Sequence, residues 1–119
     1  IPRNMNLHFL NSIEPWIYFI NDGTTGTFNN DGKPIHDFIE TSTISVSEHK
    51  QGNHPTQKPV KLLSHFINLL SNENDVVLDP FMGAGSTGVA CAQLHRQFIG
   101  IDVNEEYVQT SIKRIGNEL

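Results

Sequence analysis

Asp75-Val76-Val77-Leu78-Asp79-Pro80-Phe81-Met82-Gly83-Ala84-Gly85-Ser86-Thr87-Gly88 restricts this chain more than any other stretch. A short β-branched and aliphatic run ends on an acid. A Pro-Phe turn follows, then a glycine-rich bend, then small residues suited to a helix packed on a sheet. That order predicts a strand–turn–helix unit opening a doubly wound α/β sheet, where ligands bind at the carboxyl ends of strands.

The flanking sequence extends the pattern. Val60, Leu63, Phe66, Ile67 and Leu70 recur at helical spacing, with Leu62 and Leu69 broadening the stripe. Thr56 is the expected N-cap, Pro59 falls in the first turn, and the helix should end near Ser71-Asn72. A strand is expected over residues 75–79, a helix over 85–94 and a second strand over 97–101 ending at Asp102. An amphipathic helix is expected over 104–115, packing through Tyr107, Val108, Ser111, Ile112 and Ile115. Glu105 and Glu106 lie in its first turn and Lys113 and Arg114 in its last, as the helix dipole prefers. Gly116 is placed to stop it.

The front half is less sharply patterned. Trp16-Ile17-Tyr18-Phe19-Ile20 reads as a strand buried on both faces, closed by Asn21-Asp22-Gly23. Residues 21–34 read as a loop, and a short strand is expected around Ile44 to Ser47. The organisation expected is therefore a strand and variable connector over 1–53 and an α-β-α-β-α unit over 54–119.

Composition limits the partners. The 119 residues fit one compact domain or part of a larger one, with 37% hydrophobic and 18% charged residues. The formal net charge is -5, and the eight basic residues are scattered except for Lys113-Arg114. A free-standing nucleic-acid binder would carry a basic patch instead. The lone cysteine, Cys91, excludes an internal disulfide and fits a reducing cytoplasm. Apolar runs are too short to span a bilayer, and no charged-then-apolar leader is visible. Ile1 stands first in place of a methionine, which suggests a fragment or a processed product.

Gly83, Gly85 and Gly88 match the G-x-G-x-x-G string of dinucleotide-binding folds, which alone is weak evidence. Asp79 stands directly before the loop and would repel a pyrophosphate. No lysine follows the glycines, so a phosphate-cradling P-loop is excluded. An acid there suits a ligand bearing a cation, and S-adenosylmethionine carries an ammonium and a sulfonium. Its carboxylate can then lie over the N–H groups around Gly85, Ser86 and Thr87. Asp102 ends the next strand, where a carboxylate can accept hydrogen bonds from a ribose diol, flanked by Ile101 and Val103. The six histidines show no metal-ligand spacing, and no hydrolase nucleophile motif is complete.

With these residues in view, His54-Pro55-Thr56-Gln57-Lys58-Pro59-Val60, Leu78 to Thr87, Phe98-Ile99-Gly100-Ile101-Asp102 and Tyr107 resemble the C-terminal part of amino-group DNA methyltransferases. These are the adenine-N6 or cytosine-N4 enzymes whose cofactor motif follows the catalytic motif. The resemblance is dense over residues 54–115. Glu14-Pro15-Trp16-Ile17-Tyr18-Phe19 resembles the group's late strand before the variable region.

The resemblance implies an incomplete Rossmann-like S-adenosylmethionine-dependent methyltransferase fold holding the C-terminal portion of the sheet. It implies that Asp79 and Phe81 line the methionine end of the cofactor, with Gly83, Gly85, Ser86 and Thr87 around its carboxylate. Asp102 would hold the ribose, and Thr56, Gln57 and Lys58 would close over the methionine moiety. Such enzymes methylate double-stranded DNA in restriction–modification systems. They act through an Asp/Asn/Ser-Pro-Pro-aromatic motif that receives the flipped base, and no such tetrapeptide occurs here. This chain is therefore expected to bind cofactor but not to methylate DNA alone. Without its remaining strands it should expose an apolar sheet edge or face and self-associate, or pair with a second polypeptide. Two other readings are a non-catalytic cofactor-binding module and a dinucleotide-dependent oxidoreductase.

Overall fold

The computed structural model describes residues 13–24, 26–41 and 58–119. Five elements follow in order: α1 (Val60–Leu70), β1 (Val76–Asp79), α2 (Ser86–Gln93), β2 (Gln97–Gly100) and α3 (Glu105–Gly116). The expected strand around 44–47, Thr56 and Gln57 lie outside the described residues.

Helix α1 begins after Pro59, whose carbonyl accepts from the N–H groups of Leu62 and Leu63 at 3.1 and 3.3 Å. Pro59 is thus the N-cap position, one residue outside the first turn, and its side chain caps nothing. Leu63 and Ile67 are buried on the helix's inner stripe. At the far end the backbone of Ser71 turns extended, and both its N–H and hydroxyl donate to Ile67 O. A tight turn leads on to β1, with Asn74 at φ 70° and the Asp75 carboxylate accepting from Asn72 N at 2.8 Å.

Strands β1 and β2 are parallel neighbours in the register Val76↔Gln97, Val77↔Phe98, Leu78↔Ile99 and Asp79↔Gly100. Side chains alternate across a strand, so Val77 and Phe98 share one face. They pack there against Leu63, Ile67, Ala90 and Cys91, with Val60 and Leu94 at the margin. Helix α2 lies close enough that a Cβ on Gly88 would strike Phe98 and Ile115. Among the described residues no element covers the other sheet face: Val76, Leu78, Ile99 and Ile101 are each more than half exposed. That agrees with the expected exposed apolar face.

Helix α3 starts from an Asn104 side chain that accepts from Glu106 N at 2.9 Å and Tyr107 N at 3.3 Å. Two expectations for it fail. Ile112 is 59% exposed, and Arg114 replaces it on the inward face at 1% exposure. The inward face meets the polar backbone of the glycine bend, so polar residues are needed there. Gly116 does not adopt the left-handed stop conformation. It is the last helical residue, and Asn117 follows with φ -69° and ψ -17°.

The larger correction concerns residues 16–20. They form no strand, and each of Trp16, Ile17, Tyr18, Phe19 and Ile20 is at least 45% exposed. Apolar content gives strand propensity, but a strand needs a hydrogen-bonding neighbour, and this segment pairs with neither β1 nor β2. It lies against α1 instead, with Trp16 stacked on Phe66 at 4.7 Å. Residues 21–24 and 26–34 form the expected loop, turning at Asp22, Gly23, Gly26, Asp31 and Gly32 with positive φ. Asn29 fastens it: its N–H donates to Leu69 O at 2.7 Å, and its side-chain amide reaches Asn68 O, Ser71 O and Asn72 Oδ1.

Candidate functional site

The site is the bend from β1 to α2 and the carboxyl end of β2 beside it. Met82 N donates to Ile101 O at 3.0 Å and Ile101 N to Asp79 O at 2.9 Å, which stitches the bend to the end of β2. Gly83 and Gly85 take φ values of 52° and 85°, a region that side chains disfavour. A Cβ on Gly85 would lie 2.6 Å from Ser111 Oγ and 3.0 Å from the Ser111 backbone. Conformation and close approach both require glycine there.

The two strand-end acids are half-buried and are fixed by neighbouring donors. Asp79 Oδ1 accepts from Phe81 N at 3.0 Å and Oδ2 from the Thr87 hydroxyl at 2.7 Å. Asp102 Oδ2 accepts from Gly83 N at 3.0 Å and Oδ1 from Asn104 N at 2.8 Å. Asp102 therefore ties the glycine bend to the start of α3. A carboxylate offers about four acceptor directions, so both acids keep capacity for a ligand. Phe81 at 87% exposure and fully exposed Val103 form an apolar rim beside them.

Of the loop amides, Gly83 N is engaged by Asp102 and Gly85 N by Met82 O at 2.9 Å. Val89 N donates to Gly85 O at 3.0 Å and opens the α2 ladder. The N–H groups of Ser86, Thr87 and Gly88 precede that ladder and form the helix's positive end. Lys58, two residues before α1, ion-pairs with Glu14 at 2.7 Å, with both side chains substantially exposed.

Helix α3 holds the bend from behind. Ser111 Oγ donates to Gly83 O at 2.8 Å, and Arg114 Nη1 lies 2.9 Å from Ala84 O and 3.3 Å from Ser86 Oγ. Sequence reasoning gave these two residues packing and dipole roles and missed their grip on the loop. The available signal was a serine and an arginine three apart on one helix face. Cys91, in the core below, has its thiol pushed up to about 11 by burial, with Arg96 opposing and the Asp79 charge adding. A thiol held protonated is no nucleophile at neutral pH. Among the described residues no cluster could hold a metal ion, and no helix is long and apolar enough to cross a membrane.

The family model for N6/N4 DNA methylases matches residues 10–113. The chain belongs to that family. A methylase relative, the type II methyltransferase M2.LlaDCHI of Lactococcus lactis subsp. cremoris, is 46% identical over 86 residues, covering 72% of this chain and 32% of the relative. The solved structure of M1.HpyAVI in complex with SAM is 43% identical with a TM-score of 0.63, covering 75% of this chain and 43% of that one. The cytosine-N4-specific PvuII DNA methyltransferase is 30% identical with a TM-score of 0.52, covering 64% of this chain and 28% of that one. These likenesses establish the Rossmann-like methyltransferase fold expected from the sequence. The chain spans about a third of the length of the curated methylase relative.

Proposed function

We propose that this chain is the cofactor-binding part of an S-adenosylmethionine-dependent DNA methyltransferase acting on adenine N6 or cytosine N4. The observation that carries the reading is the pair of strand-end carboxylates, Asp79 and Asp102, fixed on either side of a glycine bend. The donor set fits the cofactor. Asp79 offers acceptors to an ammonium, Asp102 offers acceptors to a ribose diol, and the start of α2 suits a carboxylate. The Asp79 carboxylate directly before the bend disfavours the pyrophosphate of a dinucleotide. Bound there, S-adenosylmethionine supplies an electrophilic methyl on its sulfonium.

The chain's own residues bind and orient. Asp79 anchors the amino-acid end, and the N–H groups of Ser86 and Thr87 face the carboxylate. Gly83 and Gly85 keep side-chain bulk out of the bend, and Asp102 grips the ribose. Phe81 covers the methionine end. Lys58 and Thr56 close over it, which requires Lys58 to exchange Glu14 for the ligand. Residues 54–119 form the cofactor unit and residues 1–53 a connector region. The base-holding Pro-Pro-aromatic motif is absent from this sequence, so the chain alone binds cofactor and leaves DNA unmethylated. Titration calorimetry tests the ligand: S-adenosylhomocysteine should bind and NAD should not, and the reverse result would replace this reading with an oxidoreductase. Incubation with DNA and labelled cofactor should give no methyl incorporation.

A second reading is favoured by the bare sheet face of Val76, Leu78, Ile99 and Ile101. In it, the chain completes its catalytic site by docking a second polypeptide that carries the Pro-Pro-aromatic motif. Methyl transfer that appears only on mixing the two chains would support it, and co-purification without activity would count against it.

A further inference from the structure

We propose that Thr87 is a positioning residue whose hydroxyl aims the Asp79 carboxylate at the ligand's ammonium group. This rests on the cofactor reading above and adds a side-chain role to the residue whose backbone N–H is expected to face the ligand's carboxylate. The Thr87 hydroxyl has one proton to donate, and it lies 2.7 Å from Asp79 Oδ2. It therefore has none left for a ligand carboxylate, which can only accept. The carbonyl four residues back, Gly83 O, already accepts from Ser111 Oγ at 2.8 Å. Threonine in a helix chooses between two χ1 rotamers, and here its hydroxyl takes the one that reaches Asp79 at the end of β1.

Phe81 N holds the other carboxylate oxygen at 3.0 Å. With one donor on each oxygen the carboxylate cannot rotate freely. Its remaining lone pairs keep a fixed direction at the carboxyl end of β1. An ammonium presents three donors and no acceptor, so it suits that array. The same contact links the last residue of β1 to the first turn of α2. The six-residue bend, 80–85, is thus closed by a side-chain bond as well as by backbone bonds.

The test is titration calorimetry on the whole chain with two ligands. One is S-adenosylhomocysteine. The other is its deamino analogue, which keeps the carboxylate and nucleoside but lacks the ammonium. Thr87→Val keeps the shape and removes the hydroxyl, and it should weaken S-adenosylhomocysteine about tenfold, as loss of a charge-assisted hydrogen bond predicts. Its affinity for the deamino analogue should be unchanged. Thr87→Ser, which retains the hydroxyl, should restore S-adenosylhomocysteine binding. Equal weakening of both ligands by Thr87→Val, unchanged binding of both, or failure of the serine variant to rescue would each overturn the inference. If the unsubstituted chain binds neither ligand, the cofactor reading itself falls. If it binds and the variants do not discriminate, only the role of Thr87 falls.

Discussion

Gly85 shows how little freedom a single position in the bend retains. Its φ of 85° and the nearness of Ser111 act in the same direction. Gly85→Ala should lower unfolding stability by about 2–4 kcal/mol, from left-handed strain plus overpacking. Denaturant titration measures it. Cys91 provides a pH handle. Its folded-state value of about 11 lies above the ordinary thiol value. Between the two values the folded state holds more proton than the unfolded state. Stability is therefore intact below about pH 9 and falls as pH rises toward 11. Melts across that range should show the slope in the native chain and a flatter profile in Cys91→Ala. Both acids were legible as residues, because each follows a strand-like run. Their existing partners were not, because hydrogen bonds from Thr87, Gly83 and Asn104 depend on side-chain directions that a linear spacing does not give.

At the scale of elements, periodicity located both strands and the last two helices to within about a residue or two of their observed limits. It failed where an element's surroundings were not apolar. Helix α3 presents Ser111 and Arg114 inward because it faces carbonyl groups, while Ile112 looks to solvent. An amphipathic pattern assumes that a helix buries oil, and here it buries part of a polar backbone. Arg114→Met should cost about 2–4 kcal/mol, since Ala84 O loses its charged donor in a buried setting. Arg114→Lys should recover part of that, and thermal unfolding would rank the three proteins. Residues 16–20 failed differently. Their apolar character was real, but strand formation needs a neighbour that β1 and β2 do not provide.

At the scale of the molecule, helices cover one face of a two-stranded sheet, and among the described residues nothing covers the other. Four large aliphatic side chains in water favour association. Sedimentation at rising concentration should show self-association, and Leu78→Lys should reduce it. A strict monomer at high concentration would argue against that expectation. The overall net charge of -5 opposes tight DNA binding by this chain alone.

The grip of Ser111 and Arg114 on the bend also sets an order in time. The ribosome makes Gly83 and Ala84 well before it makes the two side chains that bond their carbonyls. During synthesis the bend therefore has its glycines but not its support. The bonds from Ser111 and Arg114 can form only after those residues have left the ribosome. A premature stop between Asp102 and Arg114 would leave both strand-end acids, Asp79 and Asp102, in the chain but remove the Arg114 bond to Ala84 O.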